Sequence, residues 1–123
     1  MISETMRAIL KKDGVVAIGT TGADGMHMVN TWNSYVQITE DGRLLIPAAY
    51  YHKTEANISN DNRVLLTMGS SKLKGLNGPG TGVLVKGRAA FVTLGPDFDC
   101  VKSRFKWARA ALVITIESTT QTI

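Results

Sequence analysis

The chain has 123 residues, of which 44% are hydrophobic, and a formal net charge of +4 at pH 7. This length predicts a single domain over residues 1–123 that buries a core without help from metal or disulfides. The single cysteine, Cys100, excludes an internal disulfide and favours the reducing cytoplasm. The first residues lack the apolar core of a secretory signal, and no apolar run is long enough to span a membrane.

The positive charge is unevenly distributed. Residues 1–71 carry six basic and seven acidic side chains, whereas residues 72–109 carry eight basic and two acidic ones. The basic residues are scattered over several predicted elements and no nucleic-acid-binding motif accompanies them, which argues against nucleic acid as the partner. An anionic cofactor or an acidic protein partner explains the charge at least as well.

Hydrophobic periodicity and turn residues divide the chain into short elements. Ser3 can cap the first helix and Gly14 ends it, while Pro96 is suited to a first helical position. Asp24-Gly25 and Asp41-Gly42 are strong hairpin signals. In chain order, we predict a helix over 4–13, strands over 15–20, 26–39 and 44–46, a helix over 54–60, strands over 63–70 and 83–93, a helix over 96–105 and a strand over 108–118.

This pattern predicts an antiparallel barrel. The prediction contains six strands, three short helices and two tight hairpins, without βαβ alternation or an internal repeat. We therefore expect a mainly β, six-stranded antiparallel barrel with peripheral helices, and not a Rossmann domain. The glycine-rich segment 73–82 lacks the lysine–threonine pair of a P-loop. It is interpreted as a hairpin connection, or as a close approach of backbone to a ligand or a second subunit.

One predicted strand segment, residues 30–35, is unusually rich in polar and aromatic side chains. On a strand, one face carries Asn30, Trp32 and Ser34, and the other carries Thr31, Asn33 and Tyr35. Amides and hydroxyls can bond to the edge of a heterocycle, and the two aromatics can lie near its rings. The alternative is an exposed edge strand with amphipathic aromatics.

A possible anion site lies at the start of the second predicted helix. Lys53 and Thr54 lie at its first turn, where unpaired backbone N–H groups carry partial positive charge. Thr54 can cap this end and Lys53 adds a full charge, so the segment suits a phosphate group. The alternative is an ordinary capped surface helix with a solvated lysine.

Other reactive residues form no recognisable site. His27 and His52 lack metal-ligand spacing, and no arrangement of serine, histidine and acid is evident. Cys100 follows Asp99, whose charge disfavours a thiolate. The sequence therefore predicts no catalytic residue and no metal site.

Four separated blocks of sequence, in the same order, resemble the small FMN-binding proteins of sulfate-reducing bacteria. The blocks are VNTWNSY at 29–35, HKTEAN at 52–57, NGPGTG at 77–82 and RFKWARAALVIT at 104–115. Those proteins belong to the FMN-binding split-barrel family, which also contains pyridoxamine 5′-phosphate oxidase. The resemblance covers essentially the whole chain.

The resemblance implies a six-stranded split barrel that forms a homodimer, with one FMN per subunit near the interface. The implied FMN contacts are Asn30, Thr31, Asn33, Ser34, Lys53 and Thr54, the last two on the phosphate. Trp32, Tyr35 and Trp107 are implied neighbours of the isoalloxazine ring, and Ile123 is implied to reach the flavin of the other subunit. Two departures stand out: residues 47–51 contain Tyr50 and Tyr51 where a glycine-containing stretch is expected, and Asp13 replaces an expected glutamate.

Three functions follow as hypotheses. The first is an FMN-binding electron carrier whose basic surface receives an acidic redox protein. The second is an oxidoreductase of the same fold, either a flavin reductase or a pyridoxamine phosphate oxidase-like enzyme. The third is a cofactor-free or haem-binding module.

Overall fold

The computed structural model describes residues 2–123. Its elements are α1 (Glu4–Leu10), β1 (Val15–Gly22), β2 (Gly25–Trp32), a 3-10 turn (Asn33–Tyr35), β3 (Gln37–Ile38), β4 (Leu44–Ala48), α2 (His52–Asn60), β5 (Arg63–Lys74), β6 (Pro79–Val92), α3 (Pro96–Arg104) and β7 (Ala110–Gln121). The strands form one antiparallel sheet in the order β2-β1-β5-β6-β7-β4-β3. None of the helices in residues 2–123 combines the length and the apolar character that a membrane span requires.

The predicted fold class is confirmed, with seven strands rather than six within residues 2–123. The difference arises because the strand predicted over 26–39 is wrong as a single element. Strand β2 ends at Trp32, the chain makes a 3-10 turn, and it resumes as the two-residue strand β3. The alternation of faces expected along 30–35 therefore stops at the turn.

Asn33 accounts for this break. Its side chain is fully buried, and its Nδ2 donates to the carbonyl oxygens of Ile9 and Lys12, each at 3.1 Å, and of Gly69 at 3.4 Å. Its backbone N–H donates to the carbonyl of Gly14 at 3.0 Å. These bonds tie the end of α1 to β5 and to the start of β1, and they pull the chain out of strand geometry.

Local signals set several element starts well, whereas α1 ends at Leu10 and not at residue 13, and β5 and β6 extend into the predicted 73–82 connection, to Lys74 and from Pro79. The Ser3 hydroxyl accepts a bond from the N–H of Met6 at 3.1 Å, and Pro96 begins α3, both as predicted. Gly22 pairs with Gly25 across the first hairpin, where Gly25 has a φ of 110°. Helix α2 begins at His52, two residues earlier than predicted, because the residue before it takes a left-handed conformation.

Two apolar clusters stabilise the sheet. Met6 and Ile9 of α1 pack with inward-facing strand residues such as Ile18 and Leu66 in the larger cluster. A smaller cluster lies under α3 and contains Leu45, Val101, Phe105, Ala108, Ala111 and Val113. The smaller cluster anchors the segment between α3 and β7, which carries Trp107.

Replacing Asn33 should destabilise the fold. Asn33→Ala leaves buried carbonyl groups at the end of α1 without their donor, so the free energy of unfolding should fall by about 1–3 kcal/mol. Asn77→Ala is the matched control, because Asn77 is exposed in the turn between β5 and β6. The control should change stability by no more than about 0.5 kcal/mol. Equal denaturation midpoints for the two variants would contradict the assignment.

Candidate cofactor site

A pocket of about 160 Å³ opens where the ends of β2 and β4 meet the segment before β7. Its lining residues are Asn30, Thr31, Trp32, Tyr35, Pro47, Ala49, Tyr50, Tyr51 and Trp107. Five of the ten residues predicted as a site therefore lie together. The fold brings Trp107 to the segment 30–35 from far along the chain.

The pocket presents flat apolar surfaces. The Tyr35 ring lies 5.9 Å from the Trp107 ring and 4.9 Å from the Phe105 ring, between centroids. Trp32 and Trp107 remain 54% and 51% exposed, so large areas of both indoles are free to pack against a ligand. Phe105 was not predicted as a site residue; it is buried beneath the two other rings and fixes their tilt.

Polar groups lie at the edge of these rings. Thr31 is buried and Asn30 is exposed, so adjacent positions offer a hydroxyl and an amide on different sides of β2. The Tyr51 hydroxyl donates to the carbonyl of Asn30 at 2.5 Å, which joins the start of α2 to β2. Burial raises the pKa of Tyr51 above its usual value, so this phenol stays a donor.

The start of α2 lacks a side-chain cap, because its N-cap residue is Tyr51 with φ 65° and ψ 31°. Thr54 is fully buried, yet its Oγ1 has no hydrogen-bond partner within residues 2–123. A buried hydroxyl without a partner is costly, and it lies at a helix end rich in unpaired N–H groups.

Lys53 lies at the rim of this helix start. Its ammonium forms an ion pair with Asp24 in the β1–β2 turn, and the Lys53 side chain is 47% exposed. The hydrogen bond from Lys53 lowers the pKa of the Asp24 carboxyl. Lys53 and Thr54 do not line the aromatic pocket itself; they lie two and three residues after Tyr51, which is part of the pocket wall.

Three predicted residues lie elsewhere. The Asn33 amide faces the core, where its N–H groups bond to main-chain carbonyls. The Asn33 side chain therefore does not line the pocket, and the implied contact of Asn33 with the cofactor stays a prediction. Ser34 is exposed, and its carbonyl accepts a bond from Arg104 at 2.6 Å. Ile123 lies beside the β5–β6 hairpin, where its carbonyl accepts a bond from Thr81 at 2.8 Å.

Ile123 is thus remote from the pocket of its own subunit. Strand β7 begins at Ala110, which pairs with Ala48 at the pocket end of β4. It then runs to Gln121, which corresponds to roughly 36 Å of extended strand. Ile123 therefore lies at the opposite end of β7 from the pocket.

The sequence pattern did not single out Arg109, which braces the pocket wall. Its Nε donates to the carbonyl of Ala49 at 2.9 Å, and its Nη2 donates to the carbonyl of Tyr50 at 2.6 Å. The same Nη2 lies 2.9 Å from the carboxylate of Glu55 in α2. The sequence offered only indirect evidence for the role of Arg109. Tyr50 and Tyr51 marked the segment 47–51 as unusual, but nothing in the sequence indicates which residue holds that segment in place.

Comparison with known proteins identifies the family. The sequence model of the pyridoxamine 5′-phosphate oxidase family matches residues 2–122. A curated relative from Nitratidesulfovibrio vulgaris (strain DSM 19637 / Miyazaki F), named "FMN-binding protein", is 55% identical over 123 residues, which cover all of both chains.

Solved structures of low sequence identity share the fold. HupZ of Group A Streptococcus has a TM-score of 0.80 at 15% identity, covering 98% of this chain and 94% of that one. An FMN-binding protein from Syntrophomonas wolfei subsp. wolfei has a TM-score of 0.73 at 17% identity, covering 98% and 85%. The resemblance inferred from four sequence blocks is thereby confirmed, and the chain belongs to the pyridoxamine 5′-phosphate oxidase family.

Proposed function

We propose that this chain is a cytoplasmic, homodimeric flavoprotein that binds FMN at the pocket described above and carries electrons. The observation that carries the proposal is the buried Thr54 hydroxyl without a partner, at an uncapped helix start that adjoins an aromatic pocket. A phosphorylated, planar heterocycle fits both features, with its phosphate at the helix start and its ring in the aromatic pocket. The relative that is 55% identical, named as an FMN-binding protein, supports this choice of cofactor.

The phosphate of FMN is assigned to the start of α2. The Thr54 hydroxyl and the unpaired N–H groups of the first helical turn supply donors, and Lys53 supplies positive charge. Because Lys53 already pairs with Asp24, a bound phosphate competes with that carboxylate for the ammonium. The positive end of α2 favours the phosphate in this competition.

The ring system of FMN is assigned to the aromatic pocket. Trp32, Tyr35 and Trp107 offer ring surfaces, and Asn30 and Thr31 offer groups that can bond to the ring edge. Ser34 follows on the rim. Asn33 serves this arrangement indirectly, by holding the turn that presents Tyr35.

The site is completed by a second copy of the chain. A pocket of about 160 Å³ is small beside the ~300–1,000 Å³ typical of ligand sites, so one subunit encloses only part of the cofactor. Met26, Met28 and Trp32 lie on the same face of β2, and their side chains are 76%, 57% and 54% exposed. Leu65 of β5 is 41% exposed and lies on the same face, since Gly19 of β1 pairs with Leu65 on one side and with Met28 of β2 on the other.

Trp32 belongs both to this sheet face and to the pocket, with the exposed Asn30 lying between it and the two methionines. An exposed apolar patch of this kind marks an interaction surface, and a two-fold dimer would use it on both subunits. Such a dimer can also bring Ile123 of one subunit to the pocket of the other subunit. Ile123 cannot reach the pocket of its own subunit, because that pocket lies at the opposite end of β7.

Electron transfer is favoured over substrate chemistry by what lines the pocket. When bound, the flavin supplies the redox chemistry, and the protein supplies binding, orientation and electrostatics. Among residues 2–123, no histidine or carboxylate lines the pocket as an acid–base catalyst. The exposed Arg104 and Lys106 shortly precede the exposed Trp107, so an acidic redox protein is attracted to this edge. Family membership favours a second candidate, a flavin reductase or a pyridoxamine phosphate oxidase-like oxidoreductase.

Spectroscopy and rapid kinetics test the proposal together. The purified protein should show flavin absorption bands and elute as a dimer in size-exclusion chromatography. The reduced protein should pass electrons to a cytochrome or ferredoxin without NAD(P)H turnover in stopped flow. Rapid NAD(P)H-dependent flavin reduction would favour the enzyme instead, and absence of flavin binding would reject both candidates.

Lys53→Ala tests the phosphate assignment. FMN binding should weaken by roughly 1.5–3 kcal/mol, the scale of a hydrogen bond to a charged group. Riboflavin lacks the phosphate and should lose little, which isothermal titration can compare directly. Equal losses for the two ligands would place the phosphate elsewhere.

Thr54→Val separates the functional role of Thr54 from its structural role. Removing a buried hydroxyl that has no partner should leave the flavin-free protein as stable as the parent, or up to about 1–3 kcal/mol more stable, while weakening FMN binding. Thr20→Val is the matched control, since the buried Thr20 hydroxyl accepts a bond from Asn57 at 3.1 Å. The control should destabilise the protein; comparable destabilisation by Thr54→Val would contradict the assignment.

A further inference from the structure

We infer that Arg109 is a positioning residue of the cofactor site: it holds the loop formed by residues 49–51 so that the N–H groups of Tyr50 and Tyr51 face the ligand as donors. This inference rests on the proposed function, since the ligand is a flavin. Arg109 touches no ligand itself, because the pocket is lined by the loop and not by Arg109.

The guanidinium makes two hydrogen bonds and one ion pair, which join separate parts of the fold. Nε donates to the carbonyl of Ala49 at 2.9 Å and Nη2 donates to the carbonyl of Tyr50 at 2.6 Å, while Nη2 also pairs with the carboxylate of Glu55 at 2.9 Å. The backbone N–H of Arg109 donates to the carbonyl of Ala48 at 2.9 Å. The start of β7, the end of β4 and the first turn of α2 are thus linked through one side chain.

The direction of the two carbonyls determines the direction of the next N–H groups. In a planar trans peptide the C=O and the following N–H point in opposite directions. Since the carbonyls of Ala49 and Tyr50 point at Arg109, the N–H groups of Tyr50 and Tyr51 point away from it. Tyr50 and Tyr51 both line the pocket, and Arg109 does not. Neither N–H donates to a protein acceptor within residues 2–123.

The loop needs this support because its backbone is strained. Tyr51 has a φ of 65°, a conformation that residues other than glycine rarely adopt. Such strain persists only where the surroundings over-determine the conformation. Here the Tyr51 hydroxyl is bonded to Asn30 on one side, and Arg109 holds the preceding carbonyls on the other.

Lysine cannot replace Arg109 in this role. The guanidinium is a rigid planar fork whose adjacent N–H groups match two neighbouring carbonyls, whereas an ammonium is a single point on a flexible chain. Arg109→Lys therefore keeps the positive charge and removes the geometry. Arg7→Lys is the matched control, since Arg7 is exposed on α1.

The experiment compares flavin binding and amide protection in these variants. Arg109→Lys should weaken the binding of both FMN and riboflavin by about tenfold, the equivalent of about one hydrogen bond. Lys53→Ala, in contrast, should affect FMN alone. At saturating FMN, NMR hydrogen exchange should show protected Tyr50 and Tyr51 amides in the parent protein and in Arg7→Lys, but faster exchange of both in Arg109→Lys.

The outcomes separate this inference from the function on which it rests. If the parent protein binds flavin and Arg109→Lys binds equally well with protected amides, the positioning role is overturned and the proposed function stands. If Arg109→Lys accelerates exchange throughout β6 and β7 as well, its role is one of general stability and the inference also fails. If the parent protein binds neither flavin, both proposals are rejected.

Discussion

The buried amide of Asn33 is the contact on which the pocket depends. Burying an amide costs free energy unless its polar atoms find partners. The N–H groups of Asn33 donate to the main-chain carbonyls of Ile9, Lys12 and Gly69, whereas its Oδ1 has no partner within residues 2–123. The carbonyl groups that accept these bonds lie at the end of α1 and in β5, and they in turn gain a hydrogen-bond donor from Asn33. Because the amide must point inward, β2 ends at Trp32 and the following turn presents Tyr35 to the rings of Phe105 and Trp107.

The opposite wall of the pocket depends on a second polar side chain, Arg109. Its bonds hold a loop that ends in the left-handed Tyr51, directly before the uncapped start of α2. The barrel itself is shared at 15% and 17% identity with HupZ and with an FMN-binding protein, and a shared fold does not by itself define a function. These two walls, together with the buried Thr54 hydroxyl in the first turn of α2, support a flavin as the ligand.

Signals that act within a few residues could be predicted well from the sequence. The Ser3 cap, the Asp24-Gly25 hairpin and Pro96 at the start of α3 lie where expected, because each depends on backbone conformations set by near neighbours. The break at Asn33 could not be predicted, since its acceptors lie 21 to 36 residues away. The role of Arg109 was hidden for the same reason, because the carbonyls it holds lie 59 and 60 residues away.

The sequence by itself determined the chemical character of this protein: an antiparallel barrel, a run of amides, hydroxyls and aromatics at residues 30–35, and a basic helix start at Lys53 and Thr54. These properties follow from residue type and from the periods of strands and helices. Only the tertiary structure decided that Trp107 joins that run, that Asn33 faces inward and that Thr54 is buried without a partner. The physical reason is that burial and hydrogen-bond pairing depend on groups brought together by the sheet, whose order is not the order of the chain.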